Sequence, residues 1–242
     1  VTLASIVDSE TANNGEKPRV AGLYINGGTG DAANLTQQER LDIAAYLVPR
    51  LLEKGKLAVV HVGQTSQRQA VELAKQAVAL GAQAVASIPP KKPWPQIVEY
   101  YKALCATGAN VIVYYIPGVT GMTASMAELR MMLDIPGVIG IKMSDYNIFL
   151  MRSVMLEYPD KVVYTGLDEM LIPGLFYGAD GSIGTWGNLL PNMYTKAFAK
   201  VKAGEEADGK VFYPFIFEGA VVERYVTGTP IVTGDSSGLL SY

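Results

Sequence analysis

From Val20 onward, short apolar runs alternate with amphipathic segments, and this alternation constrains the fold more than any other feature of the chain. The runs are rich in β-branched residues, and Gly or Pro separates them from the segments that follow. There are seven of them: Val20–Ile25, Leu57–Val62, Ala84–Ile88, Val111–Ile116, Val138–Ile141, Val162–Tyr164 and Ser182–Ile183. Their nearly continuous apolar character is typical of parallel strands that are covered by helices.

The segments between these runs are predicted to be helices. They are Gln37–Glu53, Ser66–Leu80, Pro95–Ala106, Ser125–Leu133, Ile148–Glu157, Asp168–Tyr177 and Leu190–Ala203. Thr36, three residues before Glu39, is typical of a capping box at a helix start. With VTLASIV as a further first strand, eight parallel strands alternating with helices predict an α/β protein, a (β/α)8 TIM barrel. A doubly wound sheet is the alternative, but no G-x-G-x-x-G follows the first strand.

The 242 residues are enough for a single barrel domain over 1–242, and 49% of them are hydrophobic. The net charge of −3 and the lack of a basic block predict no nucleic acid and no membrane as partners. One cysteine, and no signal-like start or membrane-spanning run, favour the cytoplasm. His61 is the single histidine and the carboxylates lack metal-ligand spacing, so we expect chemistry without a metal or cofactor.

Lys142 follows the apolar run Val138–Ile141, at the expected rim of a buried strand. Burial lowers the pKa of a lysine and leaves more free amine to attack a carbonyl, as Schiff-base catalysis requires. A lysine at a strand end is more often simply solvated, but here other polar residues share its position. At or just past the predicted strand ends lie Thr29, Gln64, Tyr114, Lys142, Asp168, Glu169 and Thr185. In a barrel these residues converge on one mouth, the active face.

Five short motifs give the chain a family resemblance over about residues 20–205. They are Gly27-Gly28-Thr29-Gly30-Asp31, Val113-Tyr114-Tyr115-Ile116-Pro117, Gly140-Ile141-Lys142, Gly166-Leu167-Asp168-Glu169 and Gly178-Ala179-Asp180-Gly181-Ser182-Ile183-Gly184. In this order the chain resembles the N-acetylneuraminate lyase and dihydrodipicolinate synthase family of pyruvate-handling class I aldolases. The resemblance implies a small-molecule substrate, namely pyruvate with a sugar acid, no cofactor, and a homo-oligomer that is commonly a tetramer.

The resemblance also implies roles for individual residues. Lys142 would form the Schiff base, and Tyr114 would move the proton of the hydroxyl that becomes the aldehyde. Thr29 and its glycine-rich loop, including Gly28, would hold the pyruvate carboxylate through a hydroxyl and backbone N–H groups. The remaining substrate contacts implied are Ser144, Gly166, Asp168, Glu169, Gly184 and Thr185. Asp168 could also simply cap the following helix.

The Asp168-Glu169 pair and the absence of a matching arginine favour N-acetylneuraminate lyase. The alternatives are another pyruvate aldolase, synthase or dehydratase, acting on a keto-deoxy sugar acid or a dihydrodipicolinate-type substrate, or a non-catalytic binding barrel. Gly28 is the reason to consider a non-catalytic binding barrel, since the family normally has Ser or Thr at this position. A second departure is that the loop Pro89–Pro93 lacks an aromatic residue. The ends also depart from the family: the first unit, before Val20, is too short for the usual helix, and the aromatic tail 206–242 is expected to pack on the barrel or a partner subunit.

Overall fold

Eight strands close into a barrel in chain order. The computed structural model describes the backbone of residues 4–8 and, with nearly all side chains, residues 21–63 and 66–202. The strands are β1 (Ala4–Asp8), β2 (Gly22–Ile25), β3 (Leu57–His61), β4 (Ala84–Ser87), β5 (Val111–Tyr115), β6 (Val138–Met143), β7 (Val162–Thr165) and β8 (Gly181–Gly184). The closed barrel excludes the doubly wound alternative. Gln64 and the tail 206–242 lie outside the described residues, so the extent of the domain over 1–242 stays a prediction.

The prediction of eight parallel strands is wrong for β1. β2 to β8 are parallel to one another, whereas β1 is antiparallel to both of its neighbours, with Ser5 opposite Leu23 of β2 and Gly184 of β8. A parallel pair needs a crossover that is usually helical, and the polar sequence between Asp8 and Val20 has no helical pattern. A sequence without that pattern agrees with the antiparallel direction of β1.

Eight helices accompany the strands in the described part of the chain. They are α1 (Gln37–Glu53), α2 (Gln67–Ala79), α3 (Trp94–Cys105), α4 (Pro117–Thr120), α5 (Met126–Leu133), α6 (Ile148–Glu157), α7 (Leu171–Tyr177) and α8 (Pro191–Lys202). The capping box of Thr36 and Glu39 is confirmed. The helix predicted from Asp168 begins as a single 3-10 turn, Asp168–Met170, and continues as α7. A second 3-10 turn, Trp186–Asn188, follows β8.

Side chains alternate between the barrel interior and the layer beneath the helices, as the period of two along a strand requires. The large outer layer is mostly aliphatic, with Tyr100, Tyr101 and Tyr115 among its members, whereas three of the eight buried hydrophobic residues of the interior are tyrosines. Its buried members are Tyr24, Val59, Ala84, Ala86, Ile112, Tyr114, Tyr164 and Ile183. Such an aromatic interior puts phenol rings around any polar group that projects into it.

The register between β5 and β6 places Lys142 beside Tyr114. A bulge lies at the start of this pair, where Val111 is opposite Val138 but Ile112 is opposite Gly140. The extra residue shifts every later residue of β6 by one position, so Lys142 rather than Ile141 points into the barrel. None of the helices in the described ranges combines the length and apolar character needed to cross a membrane.

Candidate active site

Lys142 is buried inside the barrel near the carboxyl end of β6. Only 5% of it is exposed, and its Nζ lies 4.1 Å from the centroid of the Tyr114 ring and 4.6 Å from that of Tyr24. Burial lowers the pKa of the ammonium from 10.5 to about 7, partly offset by the negative charge of Asp168. The two ring faces stabilise the cation, but desolvation has the larger effect. A large fraction of Lys142 is therefore the free amine at neutral pH.

Tyr114 and Tyr115 point to opposite faces of β5, as their adjacent positions require. Tyr114 belongs to the barrel interior, and its Oη accepts a hydrogen bond from Ser144 Oγ at 3.3 Å. Burial raises the pKa of the Tyr114 phenol, and the Ser144 bond opposes this rise. Tyr115 lies under the helices, where its Oη accepts a bond from the Ala124 N–H. Of these two tyrosines, Tyr114 is the one that lies with Lys142 in the barrel interior.

Gly166 follows β7 and touches the same group of side chains. A Cβ at Gly166 would overlap Ser144 Oγ and lie 2.8 Å from Lys142 Cε. The position therefore has no room for a side chain while Lys142 and Ser144 keep their places. Lys142, Tyr114, Ser144 and Gly166 are brought together as one contiguous set.

Tyr24 links Lys142 to the glycine-rich loop after β2. A Cβ at Gly27 would lie 2.6 Å from the Tyr24 ring, so the loop backbone packs directly on that ring. Tyr24 also meets the Tyr114 ring edge-on, with centroids 6.2 Å apart. Its hydroxyl is buried and has no hydrogen-bond partner among the described residues. We call Tyr24, Tyr114 and Lys142 the floor of the site.

The loop after β2 is a tight turn between two residues with left-handed backbone. Asn26 and Asp31 both have φ of 58°, a conformation that these residue types tolerate better than most. Gly28 is exposed, and a Cβ there would meet nothing within 4 Å. Thr29 Oγ1 lies 2.7 Å from Thr185 Oγ1, which joins this loop to the one after β8.

The side chain of Asp168 stabilises the turn after β8; it does not cap the helix that follows Asp168 in the chain. Its carboxylate accepts hydrogen bonds from the N–H groups of Thr185 and Trp186 and from Tyr194 Oη, the last at 2.9 Å. A Cβ at Gly184 would overlap Asp168 Oδ1, so only glycine fits there. Burial raises the pKa of Asp168, while these donors oppose the rise. The alternative role of Asp168 as a helix cap is wrong, since neither the 3-10 turn Asp168–Met170 nor α7 has a side-chain cap hydrogen bond.

Glu169 is half-buried and accepts a hydrogen bond from Tyr146 Oη. The two residues come from the loops after β7 and β6. Asp168, Glu169 and Thr185 thus form a hydrogen-bonded border, which we call the rim of the site.

Several residues of this region were not singled out from the sequence: Tyr24, Arg40, His61, Tyr146 and Tyr194. His61 Nε2 accepts a hydrogen bond from the Ile88 N–H, so its Nδ1 carries the proton and donates to Asn26 O at 3.0 Å. Burial and the nearby cations lower the pKa of His61 to about 3, which keeps it neutral. Arg40 is buried and donates to the carbonyls of His61 and Gly63.

The alternation along β3 could have placed His61 in the interior, because it lies two residues from Val59, which also points inward. Among the residues that the structure describes, no three His, Cys, Asp or Glu side chains lie close enough to hold a metal ion.

Comparison with known proteins gives a consistent set of relatives. The profile of the dihydrodipicolinate synthetase family matches residues 11–213. The N-acetylneuraminate lyase of Haemophilus influenzae is 32% identical over 201 residues, which cover 81% of this chain and 68% of that protein. This chain therefore spans about two thirds of the length of that relative.

Solved structures of the same kind share the fold. The crystal structure of N-acetylneuraminate lyase from Fusobacterium nucleatum superposes with a TM-score of 0.77 at 26% identity, covering 86% of this chain and 72% of that one. CdNal from Clostridium difficile, solved in complex with mannosamine, gives a TM-score of 0.75 at 28% identity, covering 79% of this chain and 67% of that one.

Proposed function

Because this chain belongs to the dihydrodipicolinate synthetase family, we propose that it is a Schiff-base-forming aldolase that cleaves N-acetylneuraminate reversibly to N-acetylmannosamine and pyruvate. The observation that carries the proposal is Lys142, buried inside the barrel with a pKa lowered to about 7. A lysine with a substantial uncharged fraction at neutral pH can act as the nucleophile that imine formation requires. The relatives named N-acetylneuraminate lyase support the choice of substrate.

In this mechanism Lys142 Nζ attacks the keto carbon of the open-chain sugar acid, and loss of water gives an imine that is protonated on nitrogen. The bond between the third and fourth carbons then breaks, and its electron pair moves into the imine to leave an enamine. Protonation of the third carbon and hydrolysis of the imine release pyruvate and regenerate the amine. The cationic imine would occupy the place of Nζ, between the faces of the Tyr24 and Tyr114 rings.

Tyr114 is the group we assign to the proton of the hydroxyl on the fourth carbon, which becomes the aldehyde of N-acetylmannosamine. Its ring centroid is 4.1 Å from Lys142 Nζ, and this closeness to the proposed nucleophile supports the assignment. Burial raises the pKa of Tyr114 in the free protein. A permanent positive charge on the imine would lower that pKa and make the phenol a better base, in the step that needs one.

The substrate carboxylate is assigned to Thr29 and the N–H groups of the loop that contains Gly28. The hydroxylated tail is assigned to the rim, where the Glu169 carboxylate can accept hydrogen bonds from neighbouring hydroxyls. Ser144 and Thr185 supply hydroxyls, and Gly166 and Gly184 supply the space, since side chains at either glycine would collide with Ser144 or Asp168. Asp168 acts here by holding Thr185 in place.

The proposal is tested by incubating the protein with N-acetylneuraminate and measuring pyruvate through the NADH oxidised by lactate dehydrogenase. A panel of other keto-deoxy sugar acids and a dihydrodipicolinate-type reaction are run alongside, with Lys142→Met as the control. We expect pyruvate from N-acetylneuraminate with the wild-type protein and none with the variant. Turnover of a different sugar acid alone would refute the substrate, and turnover by Lys142→Met would refute the mechanism.

A non-catalytic binding barrel is the second candidate, and Gly28 is the observation that favours it. The family normally supplies a hydroxyl at this position, and among the described residues no atom outside residues 27–29 lies within 4 Å of the place that a Cβ of residue 28 would occupy. The same assay separates the two: a barrel that only binds would take up pyruvate or the sugar acid without releasing product.

We further propose a homo-oligomer, a tetramer or a dimer, in the cytoplasm. Adjacent helices α6 and α7 expose large apolar side chains, with Phe149, Leu156 and Phe176 at 81%, 65% and 60% exposure. Apolar surface of this kind typically marks a contact with another chain. Sedimentation equilibrium would give the oligomeric mass, and a monomer at micromolar concentration would contradict the proposal. The lone Cys105, which cannot form an internal disulfide, agrees with a reducing compartment, and cell fractionation tests that location.

A further inference from the structure

Tyr146 joins the loop after β6 to the turn after β7, at the ends of two neighbouring strands. Its Oη donates a hydrogen bond to Glu169 Oε1, although 67% of the residue is exposed. The same two strands bring Lys142 and Gly166 together deeper in the barrel, where Gly166 lies against Lys142 Cε. The pair of Tyr146 and Glu169 therefore lies farther out along the side of the mouth that contains the nucleophile.

The hydrogen bond restricts a glutamate that would otherwise sample several rotamers. A carboxylate has about four acceptor sites, so one bond from Tyr146 leaves the others for hydroxyl groups of a ligand. Fixing these sites before binding lowers the entropic cost of recognition. The exposed ring adds an apolar face against which the C–H groups of a polyol can pack. The bond to Glu169 also raises the pKa of Tyr146, so the phenol remains a donor at neutral pH.

We propose that Tyr146 is a specificity-determining residue that, with Glu169, forms a subsite for the outer hydroxyls of a sugar acid. The proposal rests on the aldolase function and extends it to the substrate class: a long neutral polyol tail is favoured. A second carboxylate at this position is disfavoured, because it would meet the negative charge of Glu169.

The test compares Tyr146→Phe with the wild-type protein on N-acetylneuraminate and on a shorter keto-deoxy sugar acid that lacks the outer hydroxyls. The phenylalanine keeps the ring and removes the bond to Glu169. We expect KM for N-acetylneuraminate to rise about threefold to tenfold, the effect of one net hydrogen bond, with kcat unchanged. KM for the shorter acid, and borohydride trapping of pyruvate on Lys142, should not change.

Tyr46→Phe is the matched control, because Tyr46 is also an exposed tyrosine, on α1 with Arg50 over its ring. It should leave every readout unchanged. An equal KM change for both acids, or an unchanged KM, would overturn the subsite. A change of oligomeric mass with unchanged KM would assign Tyr146 to a subunit contact and overturn it too. Failure of the aldolase function itself would appear in the wild-type protein, as absent cleavage of every sugar acid, and would be seen before any variant is compared.

Discussion

The floor of the site and its rim are built in opposite ways. In the floor, Lys142 and Tyr114 are about 5% and 6% exposed and are surrounded by rings, so desolvation dominates their ionisation. In the rim, Asp168 and Glu169 are half-buried and held by hydrogen bonds from the turns around them. For the proposed function, the contrast means that one barrel mouth would separate two tasks: the buried interior would adjust the reactivity of the nucleophile, and the more exposed border would supply recognition.

Within the rim, two adjacent carboxylates also differ. Among the described residues, the side-chain hydrogen bonds of Asp168 go to the turn after β8 and to α8, whereas that of Glu169 goes to Tyr146 in the neighbouring loop. Asp168 therefore maintains the shape of the border, and Glu169 retains acceptor capacity for a ligand. Substitutions in the floor and in the rim should therefore have different effects.

The largest effect is expected from Lys142→Met, which removes the proposed nucleophile from the floor. Turnover and imine trapping should both be lost. Because the pKa of Lys142 is about 7 in the folded protein and 10.5 for an ordinary lysine, the unfolded chain binds more protons between these values. The free energy of unfolding of the wild-type protein should therefore rise with pH from about 7 to 10.5.

The methionine variant should lose this rise and should be more stable than the wild-type protein at pH 7. Urea unfolding at pH 7 and pH 9 measures the free energy of unfolding of both proteins and its change with pH. A variant that is less stable at pH 7, with the same dependence on pH, would show that the ammonium is not destabilised by burial.

Next in size is Tyr114→Phe, which keeps the ring of the floor but removes its hydroxyl. We expect kcat to fall about 10²–10⁴-fold, the usual contribution of an acid–base group, while pyruvate trapping on Lys142 is retained. Tyr115→Phe is the control, since that hydroxyl lies under the helices. Loss of trapping in Tyr114→Phe, or an equal effect of the control, would contradict the division of roles.

Asp168→Ala tests whether one of the two rim carboxylates mainly stabilises the folded structure. The variant removes the acceptor of three neighbours and leaves the hydroxyl of Tyr194, a buried residue of α8, without this partner. The free energy of unfolding should fall by about 1–3 kcal/mol. Glu169→Gln, one residue along, should change it by less than about 0.5 kcal/mol. Equal losses in urea unfolding would remove the distinction between the two carboxylates.

The smallest effect is expected from Gly28→Ser, which returns a hydroxyl to the carboxylate loop. A Cβ at Gly28 meets nothing within 4 Å, and its φ is outside the left-handed region, so the fold should accept it. We expect kcat to rise roughly tenfold, less than the full 10²–10⁴-fold of an acid–base group because water substitutes in part. Gly28→Ala is the control for the added Cβ, and an equal response of both variants would show that the hydroxyl is irrelevant.

Much of the barrel could be predicted because apolar periodicity reports directly which segments are covered by helices. The seven runs from Val20 to Ile183 all became strands, with ends that shifted by at most two residues. The apolar run of β1 did not predict its direction, because such a run carries no information on pairing direction; the relevant signal was the lack of a helical pattern between Asp8 and Val20. That direction depends on the connection to β2.

In the site, Lys142, Tyr114 and the rim could be found because polar residues follow buried strands there. Tyr24 and Arg40 could not, since their contacts depend on register and on packing between distant segments. The bulge at the start of β6 illustrates this: one extra residue decides whether Lys142 or Ile141 faces the interior. Tyr146 was missed because its partner, Glu169, is 23 residues away.

The most direct test of the central claim is the pH dependence of pyruvate trapping on Lys142. The protein is incubated with pyruvate and borohydride between pH 5 and pH 10, and the adduct is located and quantified by peptide mass spectrometry. We predict an adduct on Lys142 whose initial rate of formation, corrected for the reactivity of borohydride at each pH, rises with pH and levels off above about 7. A rate that still climbs through pH 9, or an adduct on another lysine, would contradict a nucleophile made reactive by burial.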